Sequence, residues 1–243
     1  PRMRSTTEDD MAFHGKVALV TGAASGMGRL AARRLASGGA SVAALDVNEA
    51  GLRETRGDDE RIRSYAVDVT DARAVAETVR RVESELGAID RVMNAAAIMP
   101  TDRLMDQGPE LVNRIMAINY GGTVNVTYAT LPRMLERGRG DLVNFASVAG
   151  WMPSLHFGAY NASKFAVVAF TEVLQHENRA SGVRFACVCP PPISPESVLD
   201  AVARDLERGK AMVFPDRNAA VAVWMRRHFP RLLWRNLHRV EGF

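Results

Sequence analysis

The sequence predicts a doubly wound α/β fold, a parallel sheet with helices on both faces, and three observations carry that expectation. Short, almost continuous apolar runs alternate with longer amphipathic ones through most of the 243 residues. Strands of that kind are buried on both faces and joined by helices. A glycine-rich turn, TGAASGMG over Thr21–Gly28, separates the first apolar run from the first amphipathic one, and an acid, Asp46, ends the second apolar run. Right-handed crossovers between such strands give a doubly wound sheet. No internal repeat or low-complexity linker divides the chain, so residues 14–243 read as one domain behind a flexible polar tail at 1–13.

The elements follow in order. KVALVTG (Lys16–Gly22) is an apolar strand stopped by glycine. GRLAARRLASGG (Gly28–Gly39) is an amphipathic helix ending at paired glycines, which can close a last turn. SVAALD (Ser41–Asp46) and IRSYAVDV (Ile62–Val69) are the next strands. DARAVAETVRRVESELG (Asp71–Gly87) is a helix capped by Asp71, whose carboxylate can accept from the first turn's free N–H groups. IDRVMNAAA (Ile89–Ala97) is a strand, and Pro109 to Arg137 is a long helical stretch. DLVNFAS (Asp141–Ser147) is a strand, Tyr160–Ala180 a helix and VRFACVC (Val183–Cys189) a strand. SPESVLDAVARDLERG then reads as a surface helix with Ser194 or Ser197 as its cap, and KAMVF (Lys210–Phe214) as a short last strand.

Composition removes several classes of function. A net charge of +3 is too weak to argue for nucleic acid. No apolar run reaches the roughly 18 residues of a membrane span, and the first residues hold no signal-peptide core, so a cytoplasmic, reduced setting is expected. Cys187 and Cys189 alternate with Ala186 and Val188 and would share one face of a buried strand as inert thiols. Two cysteines make neither a disulfide framework nor a zinc site, and no metal is expected.

The glycine turn suits a pyrophosphate. Gly22 can turn the chain at the strand end. Gly26 and Gly28 let backbone approach the anion at a helix N-terminus, where free N–H groups and the helix dipole favour negative charge. A purely structural strand–helix turn is the plainer alternative. Asp46 can accept hydrogen bonds from the ribose hydroxyls and repels a 2′-phosphate. No Lys or Arg lies within Gly22–Gly28 or just after Asp46 to neutralise that phosphate. NAD is therefore expected in preference to NADP; the alternative is that Asp46 merely caps its loop.

Tyr160 and Lys164, in AYNASKFAV, lie about one helical turn apart and project from one face. Alone, such a pair reads as a surface pair. A tyrosine titrates near 10, but a nearby ammonium and an oxidised nicotinamide favour the phenolate. Lowering the pKa by about two to three units corresponds to roughly 3–4 kcal/mol, within reach of two cations in a partly desolvated cleft. Ser147 ends a strand at the sheet edge where ligands of such folds bind. Together TGAASGMG, NAAA, INY, NFASVAG and YNASK resemble the short-chain dehydrogenase/reductase family, in its short single-domain branch, from about Gly15 to Pro190 and in the family's order.

The resemblance implies a Rossmann fold and specific roles. Tyr160 is the general base in oxidation and the acid in reduction. Lys164 lowers its pKa and holds the nicotinamide ribose, and Ser147 hydrogen-bonds the substrate oxygen. Asn119 offers a backbone carbonyl to a water that links Lys164 to solvent. Asp68 and Val69 sit beside the adenine, and Asn94, Ala95 and Ala96 line the cofactor ribose and tie strands together. Gly22, Ser25, Gly26, Met27, Gly28, Asp46, Val47, Pro190 and Ile193 complete the expected NAD contacts. The implied activity is hydride transfer between NAD and a small hydrophobic secondary alcohol or ketone, in a homodimer or homotetramer built on the long helices. Trp151, Met152, Leu155 and Phe157 supply the apolar surroundings, and His156 is either a polar substrate contact or an ordinary loop residue. Two rivals stay open: reduction of a 3-oxoacyl group on a carrier protein or coenzyme A, and a non-catalytic NAD-binding sensor or scaffold.

The sequence also departs from the family. Ala95 and Ala97 stand where Asn and Gly are usual, and Pro191 replaces the glycine after the sixth strand. Most of the substrate lid is missing between Pro192 and Ser194, leaving residues 190–243 as a lid remnant followed by C-terminal helices. An open pocket is one explanation; a mobile loop left out of the sequence is the favoured one. From Arg231 on, helical spacing puts Arg231, Arg235, His238 and Arg239 on one side and Leu233, Trp234, Leu237 and Val240 on the other. That helix could pack over the pocket or at a subunit contact, touch an anionic membrane surface, or dock an acidic carrier.

Overall fold

In the computed structural model, the residues described are 16–216 together with 220, 221, 223, 224 and 228. The 1–13 tail and the basic helix from Arg231 lie outside them. Apolar β-rich runs become strands: β1 (Val17–Thr21), β2 (Ser41–Asp46), β3 (Ile62–Ala66), β4 (Arg91–Asn94), β5 (Gly140–Phe145), β6 (Val183–Val188) and β7 (Met212–Val213). They pair in parallel in the order β3-β2-β1-β4-β5-β6-β7. The chain steps outward from β1 to β3 and then returns to lay β4 on the other side of β1. That reversal opens a crevice at the carboxyl ends of β1 and β4, the place where doubly wound folds bind ligands.

The helices are α1 (Gly26–Ser37), α2 (Glu49–Arg56), α3 (Ala72–Leu86), α4 (Gly108–Met116), α5 (Gly122–Arg137), α6 (Gly158–Glu177) and α7 (Pro195–Glu207). Alternation along the strands divides the core into two layers. Val42, Ala44, Val143 and Val188 face Ala31, Leu35, Val198 and Val202 of α1 and α7. Leu19, Ala43, Val92 and Leu142 face Val75, Val79, Val126 and Leu131 of α3 and α5. Asp71 caps α3 as expected, its Oδ1 accepting from Arg73 and Ala74 N–H at 2.9 Å each. Cys187 and Cys189 lie in the core against Val167 and Val168 of α6, 1% and 0% exposed, with their sulfurs 3.9 Å apart.

Two features depart from the expectation. The polar segment EAGLRETR forms α2, which buries only Gly51, Leu52 and Thr55 and starts on Asn48, whose Oδ1 accepts from Gly51 N–H at 3.0 Å. The long stretch after Pro109 is two α-helices joined by a π turn at Ala117–Gly121. Among the described residues no helix is long and apolar enough to cross a membrane, and no cluster of three or more potential metal ligands occurs.

Candidate active site

The first turn is built by close approach. Gly22 has φ +67°, and a Cβ there would lie 2.8 Å from the Ala96 Cα. A Cβ on Gly28 would lie 2.2 Å from the Gly22 carbonyl oxygen, so α1 can start against β1 only with glycine at that position. Thr21 Oγ1 accepts from the N–H groups of Ala95 and Ala96 at 3.1 Å each, which locks the end of β4 beside the turn. On the outer side, no atom lies within 4 Å of a Cβ built on Gly26. Ser25, at the α1 N-cap, makes no side-chain capping bond, so the first-turn N–H groups have no side-chain acceptor. Open space and unused donors at a helix N-terminus fit the pyrophosphate of a dinucleotide.

Asp46 ties this loop: Oδ2 accepts from Ala24 N–H and Oδ1 from Asn48 N–H, each at 3.0 Å. A carboxylate has about four acceptor positions, so it can also serve two ribose hydroxyls. Val47 is 64% exposed next to it. Asp68 is exposed, with Oδ1 accepting from the Thr70 N–H at 2.9 Å and hydroxyl at 2.8 Å, while Val69 is buried and its carbonyl accepts from Asn125 Nδ2 at 2.9 Å. Asn94 is buried, and its Nδ2 donates to Asn144 Oδ1 at 2.9 Å. Asn144 Nδ2 donates in turn to Thr171 Oγ1 at 3.0 Å. The Asn94 side chain therefore ties β4 to β5 and, through Asn144, to α6.

The residues expected to react sit one loop further. Ser147 follows β5; its hydroxyl accepts from Ala149 N–H at 3.1 Å and donates to the Pro190 carbonyl at 3.4 Å. Tyr160 and Lys164 face together, with Nζ 5.6 Å from the Tyr160 ring centroid. Lys164 is buried and donates to the Phe145 carbonyl at 2.7 Å. Asn119 lies in the π turn, wholly buried. Its amide accepts from Ile98 N–H at 2.8 Å and donates to Ile98 O and Ser163 Oγ at 3.0 Å each. Ser163 donates to the Tyr160 carbonyl at 2.8 Å, so Asn119 clamps the loop after β4 to the first turn of α6. The Asn119 carbonyl, assigned to a water by the resemblance, accepts from the Thr123 hydroxyl at 2.9 Å.

Burial sets the electrostatics of this pair in the chain alone. Burial pushes the Tyr160 phenol above its usual value, only partly offset by the Ser147 hydrogen bond. Burial also lowers Lys164 to about 8, against a smaller upward pull from Cys187 and Cys189. The chain by itself does not make the phenol acidic. The expected lowering counted a second cation, the bound nicotinamide, beside Lys164.

Apolar side chains surround the reactive edge. The Phe157 and Tyr160 rings meet edge-on at 6.4 Å, and Trp151 packs at 6.3 Å from Phe214 and donates to Cys189 Sγ at 3.3 Å. A cavity of about 450 Å³ opens between the loop after β4 and the loop before α6, with Leu104, Pro153, Leu155 and His156 in its walls. Residues 189–194 connect β6 directly to α7, with Ser194 as its cap and Ile193 37% exposed, so the described chain has no lid over this region. Sequence reading missed Thr21, Asn144, Ser163 and Thr171. Thr21 stood at the head of the glycine motif, but the other three are ordinary polar residues whose partners are distant in sequence.

A family model described as short chain dehydrogenase matches residues 16–205. A D-threitol dehydrogenase of Mycolicibacterium smegmatis is 37% identical over 229 residues, covering 89% of this chain and 87% of that protein. An oxidoreductase of Mycobacterium tuberculosis, EphD, is 37% identical over 183 residues, which make 73% of this chain but only 31% of EphD; the chain spans about a third of that protein. Among solved structures, a short chain dehydrogenase/reductase from Burkholderia phymatum in complex with NAD superposes with a TM-score of 0.84 at 23% identity, covering 90% of this chain and 95% of that one. A metagenomic short-chain oxidoreductase in complex with NADP does so with a TM-score of 0.74 at 27% identity, covering 82% and 96%.

Proposed function

The chain belongs to the short-chain dehydrogenase/reductase family of oxidoreductases, and from that premise we propose that it interconverts a hydrophobic secondary alcohol and its ketone with NAD. The observation that carries this reading is the pairing of Tyr160 with Ser147 and Lys164 at the carboxyl edge of the sheet, beside a turn whose free donors fit a pyrophosphate. When bound, the oxidised nicotinamide would supply a hydride acceptor and a second positive charge next to the phenol. Tyr160 takes the hydroxyl proton in oxidation and returns it in reduction. Ser147 holds the substrate oxygen as charge develops there. Lys164, lowered to about 8 and so still mostly protonated at pH 7, supplies a buried cation and a donor for the ribose. Asn119 keeps the first turn of α6 in register with the loop beside it.

The apolar surroundings, Trp151, Met152, Leu155 and Phe157, favour a hydrophobic substrate. Exposed Tyr128 on α5 and Val173 on α6, 71% and 54% accessible, suit a dimer or tetramer formed on these helices. Nicotinamide absorbance at 340 nm with a panel of secondary alcohols tests the activity; tight NADH binding with no turnover would instead favour a sensor. In the same assay Asp46→Ala is expected to raise the NADP-to-NAD ratio of kcat/KM by about tenfold or more, because the acceptor for the ribose hydroxyls and the repulsion of a 2′-phosphate are both lost. An unchanged ratio would reduce Asp46 to the loop tie that its bonds to Ala24 and Asn48 already make it.

A further inference from the structure

Arg29 stands one residue beyond the glycine motif, on the first turn of α1, and its guanidinium turns back onto that motif. Nη2 donates to the Ala24 carbonyl and lies 3.4 Å from the Gly51 carbonyl, and Nε donates to Thr55 Oγ1 at 3.1 Å. Thr55, 1% exposed, donates in turn to the Ala23 carbonyl at 2.7 Å. The Glu54 carboxylate also pairs with Nη2 at 2.8 Å, but its side chain is 66% exposed, and an ion pair that open to water contributes little. The buried part of the arrangement is the set of bonds to the turn.

Those bonds lead to Asp46. The peptide between Ala23 and Ala24 is held at both ends: its carbonyl accepts from Thr55, and its N–H donates to Asp46 Oδ2 at 3.0 Å. One line of hydrogen bonds therefore runs from the Arg29 guanidinium through the Thr55 hydroxyl and across this peptide to the carboxylate, and bonds in such a line polarise one another. Ala23 N–H is taken by the Leu45 carbonyl at 3.1 Å, so every backbone polar group of Ala23 and Ala24 has a partner. Gly51 of α2 presses on the same place. A Cβ there would lie 2.6 Å from the Ala24 carbonyl oxygen and 2.7 Å from the Ala24 Cβ. The helix with few buried side chains thus forms the back wall of the turn, and Arg29 fastens it to α1.

We propose that Arg29 is a positioning residue for dinucleotide discrimination: through Thr55 and the Ala23–Ala24 peptide it holds the Asp46 carboxylate toward the adenosine ribose, where it accepts from the ribose hydroxyls and repels a 2′-phosphate. The inference rests on the NAD reading above and deepens it, because the discriminating unit becomes a brace across β2, α2 and α1 rather than one acid.

The test is the ratio of the NADPH to the NADH dissociation constant, read by nicotinamide fluorescence without any substrate, beside thermal melts. Arg29→Met keeps the aliphatic stem and removes the donors. It is expected to lower the ratio about tenfold, the effect of one lost hydrogen bond to a charged group, as the carboxylate loses its fixed direction. Arg29→Lys, with a single ammonium in place of the fork, should fall part of the way, and it decides the matter where Arg29→Met does not fold. In an Asp46→Ala background Arg29→Met should leave the ratio within about twofold, because the two residues act in one line. A lower melting temperature with an unchanged ratio overturns the proposal, since the brace would then be structural only. A raised ratio also overturns it, because the cation itself would have drawn the 2′-phosphate, and so does a further tenfold fall in the Asp46→Ala background. Wild-type protein that binds neither dinucleotide, or both equally, overturns the NAD reading and this proposal with it. Wild-type protein that prefers NADH while Arg29→Met keeps that preference overturns the proposal alone.

Discussion

Tyr160→Phe should lower kcat by about a thousandfold or more while leaving NADH affinity within about twofold of the wild type. The substitution removes one hydroxyl and keeps the ring, so the edge contact with Phe157 and the packing of α6 survive. What is lost is the proton acceptor for oxidation and donor for reduction, a role worth about a hundredfold to ten-thousandfold in rate. The upper part of that range is expected because, among the described residues, the partners found for Ser147 besides Tyr160 itself are the Ala149 N–H and the Pro190 carbonyl, neither of which can replace the phenol as a proton carrier. Stopped assays at 340 nm for turnover, and nicotinamide fluorescence for binding, separate the two quantities. Wild-type turnover would remove Tyr160 from the chemistry altogether; lost binding together with lost turnover would point to a collapsed cleft rather than a missing proton carrier.

The burial of this phenol explains why cofactor and catalysis should be coupled. In the chain alone, desolvation raises Tyr160 and lowers Lys164 to about 8, so each group is pushed toward its neutral form. A positive charge bound beside them would favour the phenolate, because an opposite charge favours the ionised form most strongly where water is scarce. On the proposed reading the activated base is a property of the complex with NAD. This is also where sequence reading fell short. The spacing of Tyr160 and Lys164 gave their common face, but spacing carries no information about how deeply the pair is buried, and burial decides the direction of both shifts.

Other parts of the molecule were legible for definite reasons. Strands buried on both faces leave nearly unbroken apolar runs, so β1, β2, β4, β5 and β6 were visible, whereas the edge strand β3 exposes Arg63, Ser64 and Ala66. Asp71 and the glycine turn are local signals, read from neighbouring residues. By contrast α2 has few buried side chains and so little apolar periodicity. The π turn that carries Asn119 differs from a regular helix only in its hydrogen-bond register, and nothing in side-chain pattern marks it. The chain Asn94–Asn144–Thr171 joins residues far apart in sequence, and its pairing follows from strand register: Asn94 faces Asn144 across β4 and β5.

Gly28→Ala offers the second large effect, and it tests the turn without touching the reactive residues. In an ordinary helix the change would stabilise by up to about 1 kcal/mol. Here the new methyl would stand 2.2 Å from the Gly22 carbonyl oxygen and 2.6 Å from its carbon, both backbone atoms. Gly22 cannot retreat, because it is already pressed against the backbone of Ala95 and Ala96, which Thr21 holds in place. The start of α1 must therefore move, at a net cost of about 2–3 kcal/mol, the usual range for overpacking. For a chain of this size that is a fall of roughly 4–12 °C in melting temperature. The displaced N–H groups should also weaken NAD binding by about tenfold or more. Gly26→Ala supplies the contrast: nothing lies within 4 Å of its new methyl, so only the positive φ of +50° opposes it, at about 1 kcal/mol. The methyl nonetheless projects into the open side where the pyrophosphate would lie. Gly26→Ala should therefore melt close to the wild type yet bind NAD weakly, whereas Gly28→Ala loses both. Thermal melts and NAD titrations of the two variants distinguish a wedge between strand and helix from a cradle for an anion, and wild-type NAD affinity in both would mean that this turn holds no dinucleotide.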